Sequence, residues 1–454
     1  MSPPLPTTRV AYSRTLLVLT SMALAGCAHY SALPLVQANP LAPSAAGLPG
    51  VVPGVPLGVS DVAALALANN PDLRAMRARR GIAQAQLLQS GILVNPSVSG
   101  AALPLISGVG TMTAWTLGLS QDIKALITYR SRRRTAGYSA RQVDAETLWQ
   151  EWQVAGQARQ LAVDIIEGER SRPLLVQAFD LLSRRNAVLQ KALAAGDVTL
   201  VTVAPTSVAL QVTRSNLYAL DQRQFLFRHQ LNALLGLVPD AVVRLAPTVE
   251  LPPFDPVAIR ASLATLPDRR PDLLALRLGY AAQDQTVRTA ILSQFPDLII
   301  GATASSDNSG VTNAGPSATI GLPVFDRNQG NIAIATATRL QLHEDYAARL
   351  AATVGQVGAT LAEMDQLSKQ LATVRRDLPA ARLAAERASN AFGSSNLDER
   401  SYVDLVTNRY TKEQEILTLE LALLDRQIAV QTLVGAGLPT VETLPPMAGQ
   451  EGRR

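Results

Sequence analysis

The chain has 454 residues, of which 47% are hydrophobic, 4% are aromatic and 17% are charged, and its formal net charge is +5. Many Ala residues and few aromatic ones favour long, closely packed helices over a thick globular core. The sequence contains no long basic block and no alternation of basic and aromatic residues, so we expect no nucleic-acid partner.

The first predicted element is a secretion signal over residues 1–26. A basic stretch is followed by a short apolar run at residues 16–24, which is too short to span a bilayer, and then by small residues. Residues 24–27, Leu-Ala-Gly-Cys, resemble the bacterial lipobox, which implies cleavage before Cys27 and acylation of that residue. Ala28 in place of an aspartate favours, by the same resemblance, sorting to the outer membrane. The alternative is an ordinary signal peptide with an incidental cysteine.

The rest of the chain is duplicated. The stretch NPDLRAMR at residues 70–77 returns as RPDLLALR at residues 270–277, and further short matches recur in the same order at nearly the same offset. Repeats of this kind decide a fold prediction more strongly than any single propensity. After the signal, we predict a lipidated and extended tether rich in Pro, Ala, Gly and Ser, a first repeat, a second repeat and a flexible C-terminal tail, over residues 27–57, 58–250, 251–437 and 438–454.

Each repeat is predicted to contain a helix, two strands, a long helix, a tight turn and a second long helix. In the first repeat these elements cover residues 59–91, 94–104, 113–123, 128–193 and 199–236. In the second repeat they cover residues 256–293, 296–305, 316–325, 329–391 and 398–435. Pro173 and Pro379 lie at comparable places in the descending helices, and each is expected to kink its helix because proline lacks the backbone N–H.

The predicted strands alternate between apolar and small or polar residues. Trp115, Leu117 and Leu119 share one face. The predicted strands are about 9–11 residues long, which suits tilted transmembrane strands. In a bilayer an open sheet leaves backbone groups unpaired, so the strands must close into a barrel, and four strands are too few. Two copies would supply eight strands and a filled interior, whereas three copies would supply twelve strands and a lumen. The alternative is a soluble sheet packed on helices.

The duplicated unit, the two Pro-Asp-Leu stretches and the segment GLPVFDRNQG at residues 321–330 resemble the TolC-like outer-membrane efflux protein family over residues 57–437. The resemblance implies a mixed α/β membrane protein built from a duplicated helix–strand–strand–long helical hairpin unit. It implies a homotrimer in which a 12-stranded β-barrel in the outer membrane is continuous with a 12-helix periplasmic α-barrel.

The same resemblance implies a passive exit duct for efflux. The implied partners are a periplasmic adaptor (membrane fusion protein), an inner-membrane pump of the resistance-nodulation-division type and outer-membrane lipid. Residues 325–330 are most similar to the heavy-metal (cobalt–zinc–cadmium) branch, which implies export of metal cations. The alternatives are export of drugs or amphiphiles, type I secretion, and a periplasmic lipoprotein scaffold that forms no pore.

Three groups of residues are candidate sites. The first is the strand–helix joint, where Asp and Asn are expected to cap the helix that follows; it contains Asp326, Arg327, Asn328 and Gly330. The second comprises the two helical turns, which resemble the tips that dock the adaptor, although ordinary turn chemistry explains their glycines equally well. The residues of these tips are Gly196 and Asp197, then Gly393, Ser394, Ser395 and Asn396.

The third candidate site is a periplasmic gate at residues 400–407. This stretch resembles the family segment that carries a constricting pair of aspartates: Asp404 matches the first aspartate, Thr407 replaces the second, and Arg400 flanks them. Three copies of Asp404 would form a ring of carboxylates that attracts cations. The alternative is an ordinary exposed aspartate on a helix.

We expect no metal site and no cofactor other than the covalent lipid on Cys27. The three histidines, His29, His229 and His343, lie far apart and lack the spacing of metal ligands. No Ser-His-Asp order, phosphate-binding loop or dinucleotide fingerprint occurs, so we do not expect an enzyme.

Overall fold

The computed structural model describes residues 30–52 and 54–441. The predicted signal peptide, the lipidation site at Cys27 and residues 442–454 of the predicted tail lie outside these described residues.

The same order of elements occurs twice along the chain. The first half consists of α1 (Val59–Asn69), α2 (Pro71–Ser90), β1 (Ser97–Leu103), β2 (Ala114–Asp122), α3 (Ile123–Ala195) and α4 (Leu200–Leu234). The second half consists of α5 (Pro256–Ser262), α6 (Leu266–Arg269), α7 (Pro271–Leu292), β3 (Leu298–Ser306), β4 (Thr312–Ile320), α8 (Gln329–Gly393) and α9 (Glu399–Val434). This order agrees with the duplication seen in the sequence.

Two helices are very long. Helix α3 has 73 residues and α8 has 65, which correspond to about 110 and 100 Å at ~1.5 Å per residue. Each contains the proline that the sequence places in its descending helix, Pro173 or Pro379, and the kink there stays a prediction. Within the described chain, every helix is too short or too polar to cross a membrane.

Three predicted elements differ from the structure. The first predicted helix is two helices, because Asn70 accepts a hydrogen bond from the backbone N–H of Leu73 (2.9 Å) and starts a new helix at Pro71. The predicted helix over residues 256–293 is likewise divided, and its last part begins at Pro271. The last strand covers Thr312–Ile320 and not residues 316–325. The Gly321 N–H still donates to the carbonyl of Asp297, just before β3 (2.9 Å), and Pro323, which has no N–H, cannot continue the hydrogen bonding.

The four strands form one antiparallel sheet in the order β1-β2-β3-β4, so each repeat supplies one hairpin. Residues paired across antiparallel strands lie on the same face of the sheet. Leu117 pairs with Ala304 and Leu119 with Ala302, which confirms the predicted alternation. Every residue in the four strands is at least partly exposed, and within the described residues the outer edges of β1 and β4 have no strand neighbour.

The main hydrophobic core lies where α1, α3, α4 and the end of α9 meet. Trp152 of α3 is almost completely buried there and donates its indole N–H to the Pro439 carbonyl (2.8 Å). Arg159, about two helical turns further along α3, donates to the Ala436 and Gly437 carbonyls (3.1 and 2.6 Å). The turn after α9 is therefore bound to the middle of α3, and the second repeat ends against the first.

The segment before α1 packs against the first repeat, whereas an extended tether was predicted there. Ala42 bridges to Leu237 and Leu57 bridges to Leu245, and Leu48 is buried in the main core. Apolar residues spaced along the segment explain this packing. The prediction of a free, extended tether is therefore wrong for residues 42–57, whereas residues 30–40 are exposed.

Candidate functional sites at the helix turns and the strand–helix joint

The strand–helix joint is held by side-chain amides. Asn328 has a left-handed backbone (φ 62°) just before α8, and its Nδ2 donates to the Ala290 carbonyl of α7 (2.7 Å). Its own backbone N–H donates to Asp326 Oδ1 (2.8 Å), and the Arg327 N–H donates to Gln329 Oε1 (2.7 Å). The prediction that Asn328 or Asp326 caps α8 with its side chain is wrong, because Asn328 instead joins the start of α8 to the end of α7.

Gly330 lies in the first turn of α8 and has open space where a Cβ would be. No steric reason therefore requires glycine at this position. Just before the joint, Leu322, Val324 and Phe325 are strongly exposed. They add exposed apolar side chains between the end of β4 and the start of α8.

The first tip is a glycine turn. Gly196 ends α3 with a left-handed backbone (φ 82°), and Asp197 donates its N–H to the Ala192 carbonyl (2.9 Å). A Cβ on Gly196 would meet no atom within 4 Å, so the backbone angle alone requires glycine.

The second tip uses a different residue for the same purpose. Gly393 is the last helical residue of α8, and the left-handed position is Ser395 (φ 58°). Asn396 donates its N–H to the Ala391 carbonyl (2.8 Å), and Ser394 donates its hydroxyl to the Asn390 carbonyl (2.9 Å). The expectation that a glycine supplies the left-handed residue therefore holds for the first tip and is wrong for the second.

A buried ion pair beside the second tip joins the two helical hairpins. Glu399, the first residue of α9, has a side chain that is only 5% exposed and binds the Arg185 guanidinium of α3 through both carboxylate oxygens. Thr206 of α4 donates its hydroxyl to the same carboxylate (2.9 Å). We call Arg185, Glu399 and Thr206 the hairpin clasp.

Aromatic side chains of the second hairpin pack against the hairpin clasp. Phe392 of α8 lies under the Arg185 guanidinium, 4.1 Å from ring centroid to Cζ, and stacks on Tyr402 of α9 at 4.7 Å. Burial raises the pKa of the Tyr402 hydroxyl. Val403 lies beside them in a buried cluster with Leu182 of α3 and Leu210 of α4. The second tip is therefore fixed to the first hairpin by both charge and apolar contact.

The predicted gate residues differ in exposure: Arg400 and Asp404 are exposed, whereas Thr407 is partly buried. Asp404 is 68% exposed and its closest cation is Arg400, one turn earlier, at 3.9 Å. Thr407 has a buried hydroxyl for which the described residues provide no hydrogen-bond partner. Asp404 and Arg400 therefore share the open surface of α9, and Thr407 does not join them.

A second polar contact between the hairpins was not predicted. Gln160 of α3 donates to both Asp164 of α3 (3.4 Å) and Asp425 of α9. Burial, followed by the neighbouring Asp425 carboxylate, raises the pKa of Asp164 to about 6, and burial also raises the pKa of Asp425. The described residues contain no group of three or more His, Cys, Asp or Glu side chains suited to a metal ion.

Sequence reasoning missed both the hairpin clasp and the carboxylate pair for the same reason. Arg185 and Glu399 are 214 positions apart, and Gln160 and Asp425 are 265 positions apart. Contacts at such separations depend on which helix faces pack together. The only local signal is the helix start, where Asp398 accepts hydrogen bonds from Ser401 and where the Ser401 hydroxyl and backbone bonds lower the pKa of Asp398.

Comparison with known proteins follows the same lines. Residues 263–436 match the family described as Outer membrane efflux protein. The probable outer membrane lipoprotein SilC of Salmonella typhimurium is 25% identical over 181 residues, which cover 37% of this chain and 39% of SilC. The match therefore spans well under half the length of that relative.

Solved structures match over nearly the whole chain. The structure of CusC, reported in the context of folding and transmembrane channel formation, has a TM-score of 0.68 at 18% identity, and the match covers 91% of this chain and 100% of CusC. A membrane protein from Pseudomonas aeruginosa has a TM-score of 0.70 at 18% identity, covering 91% and 98% of the two chains. At these identities the likeness establishes the fold.

One four-stranded sheet that continues into two long helical hairpins is the fold of TolC-like outer-membrane channels. Over residues 263–436 the chain matches the outer membrane efflux protein family, in agreement with the resemblance carried by its sequence motifs. This match and the name of SilC, an outer membrane lipoprotein, agree with the predicted localisation, and the match agrees with the prediction that the chain is not an enzyme.

Proposed function

We propose that this protein is the outer-membrane component of a tripartite efflux system, a passive trimeric exit duct that exports heavy-metal cations. The observation that carries this proposal is the sheet, which within residues 30–52 and 54–441 is exposed on both faces and has no strand neighbour at either edge. The match of residues 263–436 to the outer membrane efflux protein family supports the same function, and the exposed surfaces of the single chain support the trimer.

The apolar face of the sheet is suited to lipid. Leu117 and Leu119 are each 53% exposed, and an open groove of about 620 Å³ lies among the apolar side chains around them. A sheet in a water-soluble domain buries at least one face against another layer. In a bilayer, acyl chains would cover this face, and the edges of β1 and β4 would have to pair with other copies because lipid supplies no hydrogen-bond partners.

The helices also leave surfaces for neighbouring copies. Val201, Val208 and Val212 of α4 lie seven and four positions apart, so they form one exposed apolar stripe. Helix α8 buries only a narrow line of residues against α7 and α9. Three copies would cover these surfaces and would contribute twelve strands, enough to enclose a lumen.

The partners and the cargo follow from the family resemblance. The tips at Gly196–Asp197 and Gly393–Asn396 would dock a periplasmic adaptor that couples the duct to an inner-membrane pump. The similarity of residues 325–330 to the heavy-metal branch supports metal cations as cargo. Cys27 would carry the lipid anchor. Replacement of Cys27 by serine should abolish incorporation of labelled palmitate, and continued labelling would contradict the assignment.

Asp404 is proposed as the gate because three exposed carboxylates on one axis attract cations and repel one another. Asp404→Ala should raise single-channel conductance and weaken block by divalent cations. Asp240→Ala, which changes an exposed loop aspartate after α4, is the matched control and should change neither quantity. Unchanged conductance in Asp404→Ala would remove this residue from the gate.

The assembly is tested by the electrophoretic mobility of the purified full-length protein before and after heating. A stable trimer should migrate more slowly before heating, and a monomer under both conditions would contradict the proposal. The cargo is tested by growth of a strain that lacks the gene. Restored resistance to divalent metals supports the heavy-metal assignment, whereas restored resistance to amphiphilic drugs alone would replace it with the drug-efflux alternative.

A further inference from the structure

The face of the sheet opposite the apolar one is lined by hydroxyl groups. The strand register places its residues in three rows, each crossing all four strands. From the helical end outward, the rows are Ser97, Ser120, Gly301 and Ser317; then Ser99, Gly118, Thr303 and Gly315; then Ala101, Thr116, Ser305 and Asn313. We call these three rows the hydroxyl face.

The hydroxyl face carries short side chains as well as polar groups. Ser97 and Ser120 share a hydrogen bond between their hydroxyls (2.8 Å). A Cβ on Gly118 would come within 2.7 Å of the Ser99 hydroxyl, which would have to turn away, and a Cβ on Gly301 would overlap the backbone carbonyl of Leu119, so only glycine fits at position 301. Because the residues at these positions are small, their side chains would hardly narrow a lumen on this side of the sheet.

The four strands contain one charged residue, Asp122, and its carboxylate is used to cap α3 through the N–H of Ala125 (3.2 Å). Asp307, in the loop between β3 and β4, accepts the N–H groups of Ser309 and Val311 (2.8 and 3.0 Å). At the helical end, Lys124 and Asp297 form an ion pair at 2.7 Å. Asp122 and Asp307 therefore carry their charges at the two ends of the set of three rows and not within them, and the Lys124–Asp297 pair carries no net charge.

Membrane barrels place their apolar face toward lipid and their polar face toward the lumen. We propose that the hydroxyl face lines an exit portal that is indifferent to charge, so that hydrophilic cations and anions pass it alike. This inference rests on the proposed function, because a lumen exists only if the copies close into a barrel. Selection by charge in such a duct would then reside below the strand–helix joint.

The physical reason lies in the donor and acceptor inventory of the portal. A hydroxyl both donates and accepts hydrogen bonds and can rotate to suit its partner, so it solvates ions of either sign. Channels that select by charge use rings of charged side chains, and the hydroxyl face contains none. The cargo class that the portal fits is therefore broad, and a preference for metal cations would have to be imposed by the helices or by the partners.

Thr303 is the best position for a test, because it lies in the middle row. The full-length protein is recorded in planar bilayers under a potassium chloride gradient, and the reversal potential gives the ratio of cation to anion permeability. Thr303→Glu would add three carboxylates to the portal and should raise this ratio by about threefold or more. Thr303→Gln, which is similar in size and uncharged, should leave the ratio at the wild-type value.

A cysteine variant keeps the test decisive if the glutamate variant does not insert. Thr303→Cys is treated after insertion with a negatively or a positively charged thiosulfonate reagent, and the wild type receives the same reagents to control for Cys27. The two reagents should shift the permeability ratio in opposite directions and by similar factors.

If the wild type conducts but neither reagent changes the ratio of cation to anion permeability in Thr303→Cys, the portal inference is overturned and the proposed function is not. Shifts that are strongly unequal would also overturn it, because they would reveal a charge bias already present. Absence of any wild-type conductance would instead contradict the proposed function.

Discussion

The hairpin clasp should dominate the local stability of the second tip. Glu399→Ala leaves the Arg185 guanidinium, with its side chain 26% exposed, and the fully buried Thr206 hydroxyl without their partner. Removing one member of a buried ion pair costs about 3–5 kcal/mol, and the partial exposure of Arg185 favours the lower end. A loss of about 3 kcal/mol increases the equilibrium constant for local opening by roughly 100-fold.

The assay is hydrogen exchange of the backbone amides in residues 401–407. Thr206→Val removes one hydrogen bond to a charged group and should lower the opening free energy by about 1.5–2 kcal/mol. The triple variant Arg185→Met/Thr206→Val/Glu399→Leu should lie within about 1 kcal/mol of the wild type, because neither a charge nor a buried hydroxyl is left without its partner.

The matched control is Asp365→Ala, which breaks the exposed ion pair with Lys369 on α8 (2.6 Å). An exposed pair of this kind contributes less than about 1 kcal/mol, so exchange in residues 401–407 should stay unchanged. The reasoning would be refuted if Glu399→Ala exchanged no faster than this control.

Three further predictions concern single residues of the long helices. Because the pKa of Asp164 is raised from its ordinary value of 3.8 to about 6, folding stability falls as the pH rises through that interval, and Asp164→Asn should remove this contribution. Unfolding temperatures of both proteins at about pH 4 and about pH 8 check it; a difference independent of pH would contradict it. Gly168→Ala should destabilise by about 1–3 kcal/mol because its Cβ would overlap a glutamine amide of α4, whereas Gly355→Ala, with open space, should stabilise by up to about 1 kcal/mol; equal unfolding temperatures would argue against this packing. Gly196→Ala should destabilise the first tip by about 1–2 kcal/mol because of its left-handed backbone, whereas Gly393→Ala should be neutral or stabilising, and hydrogen exchange at each tip distinguishes them.

The strand faces were predictable from the sequence because side chains alternate with a period of two. Trp115, Leu117 and Leu119 needed no knowledge of their partners to be placed on one face, and the register then added Ala302 and Ala304. The duplication likewise fixed the order of elements without any contact information.

Helix boundaries were less predictable. The proline at position 71 signals a possible break, but the apolar pattern continues across it, so only the capping bond from Leu73 to Asn70 shows where the second helix begins. At the second tip, a local pattern favours glycine for the left-handed residue, whereas the structure uses Ser395.

The contacts between the two helical hairpins could not be predicted from the sequence. Nothing near Glu399 in the sequence indicates Arg185, and the carboxylate pair of Asp164 and Asp425 depends on the rotation of two helices about their axes. Thr407 was grouped with Asp404 because the two residues lie three positions apart on α9, and the sequence does not show that the Thr407 hydroxyl is buried whereas Asp404 is exposed.

The central claim is that copies of this chain enclose a water-filled duct through the outer membrane. Single-channel recording of the purified, full-length protein in planar bilayers tests it most directly. The account predicts discrete conductance steps from the trimeric fraction and none from protein dissociated by heat. A correctly folded protein that inserts into bilayers and produces no conductance would contradict it.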